Sequence, residues 1–240
     1  RERHRHSGRA LPDVREGAGG LCLRGDDEPR GEEARVDFQK RSMASSERDE
    51  QRRSAFRAYV RSIVSERFVF VDECSTNISL SPIYARAPRG ERAHGKAPRN
   101  WGKNVSLICA IDSEGVKPSM SVEGAVDGKA FESYIEHFLA SKLERGQIVV
   151  MDNLTVHKSK RVRRLIEEAG ATLLFLPPYS PDMNPIEGAF SKVKSVLRKV
   201  AARTREALVE ATGRALDTIT TEDIRGFYTD CGYHLPLQSL

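Results

Sequence analysis

The chain predicts an α/β fold, a mixed sheet in which an antiparallel meander is followed by parallel strands, with helices on both faces. Three observations predict it. Short apolar runs separated by turn residues occupy residues 68–122, the hydrophobic period changes from two to about 3.6 after Asp127-Gly128, and strands and helices then alternate.

The elements follow in order. From Glu47 to Glu66, the residues Phe56, Val60 and Ile63, with Ala55, Tyr59 and Val64 beside them, recur at helical spacing and predict a helix beside the first strand. That strand is Phe68-Val69-Phe70-Val71, ending at Asp72. A polar, basic stretch runs on to Lys103 and should hold a second strand around Ile83-Tyr84. Val105 to Ile111 is the next strand, and Asp112-Ser113-Glu114-Gly115 is a hairpin turn into a further one, Val116 to Val122. After Asp127-Gly128 comes a helix with the stripe Phe131, Tyr134, Ile135, Phe138 and Leu139. Ile148 to Met151 is a strand ending at Asp152, and a helix with Val162, Leu165, Ile166 and Ala169 turned inward stops at Gly170. Thr172 to Leu176 runs into Pro177-Pro178-Tyr179-Ser180-Pro181-Asp182-Met183-Asn184-Pro185, then a helix to about Ala202. A helix from Thr204 to Leu216 and a short element near Ile224 to Tyr228 close the chain.

Composition narrows the partner. Of 240 residues 30% are charged, yet the 39% that are apolar suffice for a packed interior. The chain carries a net charge of +5 and a pI near 9.1, and the excess is clustered: Arg86, Arg89, Arg92, Lys96, Arg99 and Lys103 stand against the single acid Glu91. Between Asn153 and Arg203 ten basic residues face four acids. Such clusters suit a polyanion, with nucleic acid first among candidates, better than an acidic small molecule. Cys22, Cys74, Cys109 and Cys231 lie far apart, without the paired spacing of a zinc site or a disulfide framework. No apolar run approaches the roughly 18 residues of a membrane span, so no membrane partner is expected. The expected localisation is cytoplasmic and nucleoid-associated. Residues 1–46, nearly balanced in charge and without periodicity, are expected to be disordered or a frame-shifted segment, and residues 47–240 a catalytic domain.

Three acids carry the chemistry. Asp72 and Asp152 each end an apolar run, and Glu187 opens a helix behind a loop stiffened by Pro177, Pro178, Pro181 and Pro185. Carboxyl ends of neighbouring parallel strands share one cavity, so Asp72 and Asp152 can face the same point. Two close carboxylates stay ionised only beside a strong counter-charge, which a pair of Mg²⁺ ions supplies, with Mn²⁺ able to substitute. Two such ions about 3.5 to 4 Å apart stabilise both the attacking and the leaving oxygen of a phosphoryl displacement. Other readings of each acid stand beside this one. Asp152-Asn153 is good turn chemistry, and Asn184-Pro185-Ile186-Glu187 has the form of a helix cap in which Glu187 only bonds backbone N–H groups. On the helix itself Glu187, Ser191, Lys194 and Arg198 share a face, as a metal beside a DNA backbone would require.

Taken together the motifs resemble the DDE transposases of the mariner type, in particular their bacterial insertion-sequence branch. Phe70-Val71-Asp72-Glu73 is similar to the first acidic block, and Met151-Asp152-Asn153 with His157 to the second. The proline loop through Glu187 is similar to the third, with 34 residues separating Asp152 from Glu187. The resemblance implies a ribonuclease-H-like core with Asp72, Asp152 and Glu187 as catalytic metal ligands for two ions. It also implies phosphodiester hydrolysis at inverted-repeat ends of double-stranded DNA, transfer of 3′ ends into TA-containing target, and a homodimer on DNA. Arg86, Arg89, Arg99, Trp101, Lys103, His157, Lys158, Lys160, Lys194 and Arg198 are the candidate DNA contacts. Family members place helix-turn-helix modules before the core, whereas 71 residues precede Asp72 here, so such a module from an upstream frame is an expected partner. Two alternatives stand beside this function: a truncated remnant acting as a DNA-binding or regulatory protein, and another nuclease on the same core.

Overall fold

Phe68–Thr76 forms a strand, β1, whose alternate side chains feed two separate cores, so the sheet must be covered on both sides. The structure, a computed structural model, describes residues 45–236. Of the segment expected to be disordered, residues 1–46, all but the last two residues lie outside them, as does Cys22.

Antiparallel to β1 runs β2, Val105–Asp112, and against β2 lie the short β3, Gly115–Val116, and β4, Met120–Glu123. On the other side of β1 two strands are parallel, β5 (Ile148–Met151) and then β6 (Thr172–Phe175), giving the order β3-β2-β1-β5-β6 with β4 also on β2. The mixed sheet expected from the change of period is thus present.

Three strand expectations need correction. β1 does not stop at Val71, because pairing with β2 continues to Thr76 after pairing with β5 has ended at Phe70, so Asp72 lies inside the strand. Ile83 and Tyr84 form no strand. They are exposed, in an irregular stretch where Pro82, Pro88 and Pro98 remove ladder donors. The strand expected over residues 116–122 is split at Lys117-Pro118-Ser119, where the proline lacks an N–H and its carbonyl instead accepts the Tyr134 hydroxyl at 2.9 Å.

The helices divide between the faces. Helix α1, Glu50–Arg61, is capped by Asp49, whose Oδ1 accepts the N–H groups of Gln51 and Arg52 at 3.0 Å. It shares a core with α4 (Ile186–Val200), α5 (Arg205–Leu216) and α6 (Thr221–Asp230). The opposite face is covered by α2, Gly128–Tyr134, and α3, Lys160–Glu168. After Tyr134 the chain makes one π-helical turn, Ile135–Leu139, which widens the period past 3.6. Phe138 consequently reaches the surface, contrary to the expected stripe, while Phe131, Tyr134, Ile135 and Leu139 stay buried. The element expected near Ile224 is the full helix α6, started by a reciprocal Thr220–Asp223 cap. It anchors β1 through Tyr228, whose hydroxyl donates to the Phe68 carbonyl at 2.8 Å.

Gly188 lets α4 and α6 meet. A Cβ there would stand 2.4 Å from Cδ1 of Phe227. Gly188→Ala is therefore expected to destabilise the domain by about 1–3 kcal/mol despite the better helix propensity of alanine. Urea unfolding checks this, and an unchanged midpoint would contradict it.

Candidate active site

The strand register brings the first two acids together. β1 and β5 pair Phe70 with Val150, and two residues further along each chain stand Asp72 and Asp152. Glu187 arrives from the third direction, in the first turn of α4 behind the proline loop. All three side chains line one cleft of about 380 Å³, together with Asn184 and the stretch from Pro177 to Pro181. Tyr179 stands in that wall with φ 55°, a left-handed backbone rare for a bulky residue, and is 60% exposed.

Asp72 is buried, and both its oxygens are held. Oδ1 accepts its neighbour Glu73's backbone N–H at 2.8 Å, and Oδ2 accepts Nδ2 of Asn184 at 2.8 Å. Burial, helped by the charges of Asp152, Glu73 and Glu187, pushes the Asp72 carboxyl up to about 7 against the opposing Glu73 N–H bond. Asn184 does not cap the helix as the capping pattern allowed, for α4 has no side-chain cap, and its amide serves Asp72. That alternative reading of Glu187 thereby loses its partner.

Asp152 sits differently, partly exposed in the turn after β5. Its Oδ1 accepts the Leu154 N–H at 3.0 Å and lies 2.6 Å from Nδ1 of His157, an ion pair rather than an aligned hydrogen bond. On the far side of the ring, Nε2 of His157 stands 3.1 and 3.0 Å from the two oxygens of Glu73. Burial works against a charged ring, but the carboxylates of Asp152 and Glu73 outweigh it and push His157 up to about 10.

His157 is therefore not a DNA contact. It is fully buried, its ring packs on Phe131 with centroids 4.3 Å apart, and both nitrogens face carboxylates. The other candidate contacts remain accessible. Arg86, Arg89, Arg99, Trp101 and Lys103 lie exposed on the segment between β1 and β2, and Lys103 is 3.6 Å from Glu123. Lys158 and Lys160 are exposed, and Lys194 and Arg198 partly so on α4. None of these side chains lines the cleft.

Sequence reasoning missed Arg53, the fully buried arginine of α1 that grips Asp182 of the proline loop through two contacts, 3.0 and 2.6 Å. Helical spacing could have found it, since Arg53, Phe56 and Val60 fall at offsets of three and seven on one face.

The donor set fits a hard divalent cation. Three carboxylates are hard oxygen ligands, and the buried Oδ1 of Asn184 has no partner among the described residues. Among those residues no three His, Cys, Asp or Glu side chains converge to metal-ligand distance, so the acids share the cleft without forming a closed cage.

Residues 67–209, which carry all three acids, match the family described as DDE superfamily endonuclease. The chain belongs to that family. The DDE endonuclease core is 24% identical over 151 residues to the Transposable element Tc1 transposase of Caenorhabditis elegans, covering 59% of this chain and 55% of that protein. Its fold is similar to that of the Mos1 transposase paired-end complex with left transposon end, with a TM-score of 0.65 at 19% identity over 81% of this chain and 63% of that one. The catalytic domain of Mos1 mariner transposase gives a TM-score of 0.56 at 16% identity, covering 80% of this chain and 92% of the other. The chain thus spans little more than half the length of the Tc1 relative, and the part it shares with Mos1 is the catalytic fold.

Proposed function

We propose that this DDE endonuclease is the catalytic domain of a mariner-type DNA transposase, of the bacterial insertion-sequence branch, that cuts phosphodiester bonds at transposon ends and joins the freed 3′ ends to TA-containing target DNA. The observation that carries the reading is that Asp72, Asp152 and Glu187, from two neighbouring strands and a helix, line one cleft. Structures of Mos1 were determined with Mn and with Mg, which supports the same ions here.

Asp72, Asp152 and Glu187 would hold two Mg²⁺ ions, with Mn²⁺ as a substitute. Bound divalent ions would supply Lewis acidity to the attacking water or 3′-hydroxyl and to the departing 3′ oxygen. The chain's own residues do the rest. Asn184 fixes the orientation of Asp72, the proline loop delivers Glu187 with little freedom to lose, and Lys194 and Arg198 extend the helix face of Glu187 with positive charge for phosphates. A homodimer on DNA, and a helix-turn-helix module to select the ends, complete the proposed assembly.

A strand-transfer assay with pre-cleaved ends, a supercoiled target and MnCl₂ tests the function. Joined products are expected. Nicked target without joined product would favour a simple nuclease, and DNA binding without cleavage would favour a regulatory remnant.

A further inference from the structure

Two of the polar residues nearest the acids do not line the cleft at all. They are Glu73 and His157. Successive residues of a strand point to opposite faces, so where Asp72 faces the α4 side, Glu73 belongs with Val69 and Val71 on the side of α2 and Phe131. There it meets His157, whose two nitrogens join Glu73 to Asp152. The ring has no exposed surface and is held against Phe131, so its placement is set by packing as well as by charge.

The contacts on Asp152 are one-sided. Both the Leu154 N–H and the 2.6 Å approach of His157 Nδ1 fall on Oδ1, and no hydrogen bond among the described residues falls on Oδ2. We propose that Glu73 and His157 form a positioning relay that grips Oδ1 of Asp152 from behind the sheet and presents Oδ2 to the cleft as a metal ligand. Adjacent acids of one strand would then serve one site by different routes, Asp72 directly and Glu73 through the histidine. A group that orients a ligating side chain from outside the coordination sphere typically contributes tenfold to a hundredfold in metal affinity. The inference rests on the reading of Asp152 as a metal ligand.

The test uses the full chain with MnCl₂ as probe, following binding by electron paramagnetic resonance and the fold by thermal melting. His157→Gln and Glu73→Gln are each expected to weaken Mn²⁺ binding by about 10- to 100-fold while still melting cooperatively. Because both act through the same link, the double variant should bind no worse than the weaker single one. Wild-type affinity in a folded Glu73→Gln protein, or additive losses in the double variant, would overturn the relay, and Glu73→Gln keeps the question open to decision if His157→Gln fails to fold. If the wild-type chain binds no Mn²⁺ that Asp152→Asn abolishes, the metal reading fails and the relay with it. Intact wild-type binding with unaffected Gln variants removes the relay alone.

Discussion

Asp72→Asn is expected to abolish metal-dependent DNA cleavage and yet leave the metal-free protein more stable than the wild type at pH 8. The two effects share one cause. Asp72 is buried among like charges, and its carboxyl is pushed from 3.8 to about 7. A raised carboxyl means that ionisation opposes folding: the penalty is absent below about pH 4, grows as pH rises towards 7, and is fully present above it. With about 1.4 kcal/mol per pH unit, the full penalty has an upper bound of about 4 kcal/mol. Asparagine is neutral and removes it. The new amide nitrogen needs an acceptor, and Asn184 can supply one by turning its amide, because its Oδ1 has no partner among the described residues. Loss of charge on the bond from the Glu73 N–H takes back part of the gain, leaving a net stabilisation of about 1–3 kcal/mol at pH 8.

Cleavage moves the other way. On the proposed function Asp72 is an anionic ligand, and losing it should remove several kcal/mol of transition-state stabilisation, equivalent to about 10³-fold or more in rate. Urea unfolding in EDTA at pH 4 and pH 8, alongside cleavage of end-containing DNA in MgCl₂, checks both arms. The stability gap should be present at pH 8 and nearly closed at pH 4. A variant that cleaves within tenfold of wild type, or is the less stable of the two at pH 8, would contradict the account.

The distinction between what the residues announced and what they withheld follows from range. Apolar runs such as Ile148 to Met151, and the helical spacing of Ile186, Phe190, Val193 and Leu197, are local patterns that burial enforces, whereas Val200, at the same spacing in the last turn, is exposed. The three acids were legible because each breaks a local pattern, Asp72 and Asp152 after apolar runs and Glu187 at a helix start. Partnerships across the sheet were not. Glu73 and His157 are 84 positions apart, and Asn184 and Asp72 are 112 apart, so nothing in either neighbourhood marks them as a pair. His157, four residues beyond Asn153 in the second acidic block, reads from sequence equally as a DNA contact, a neighbour of the metal or a plain helix-start histidine, whereas burial against Phe131 decides its place. The end of β1 was misplaced for a related reason. Asp72 and Glu73 interrupt an apolar run, but the pairing with β2 that carries the strand to Thr76 is a property of both strands.

Asp182→Ala is expected to destabilise the domain by about 3 kcal/mol, although the residue it removes is half exposed. The cost lies in what remains. Arg53 has no exposed side-chain surface, and its guanidinium closes on the Asp182 carboxylate through Nη1–Oδ1 at 3.0 Å and Nη2–Oδ2 at 2.6 Å. Among the described residues Nε of Arg53 has no hydrogen-bond partner, so the pair with Asp182 is its main compensation, with Glu50 3.4 Å away. Removing Asp182 strands a buried cation, a change that costs about 3–5 kcal/mol in fully enclosed pairs and less here because the carboxylate meets solvent. Arg48, 2.9 Å from the same carboxylate, is freer to turn to water. If the unpaired charge is the cause, replacing it should repair the loss. Arg53→Met combined with Asp182→Ala should recover at least half of the stability, since a buried ion pair exchanged for apolar volume is often close to neutral. The Arg53 contact lowers the Asp182 carboxyl, so its contribution is present above about pH 4 and is progressively lost as pH falls through the lowered value. The wild type should accordingly lose its advantage over Asp182→Ala at acid pH. Because Asp182 lies in the loop that delivers Glu187, the same substitution loosens the third acid, and cleavage should fall further than stability alone explains. Guanidinium unfolding of the wild type, the single and the double variant at pH 7 and pH 3 decides it. An Asp182→Ala protein within 0.5 kcal/mol, roughly the spread of ordinary surface substitutions, would mean that Arg53 finds its compensation elsewhere.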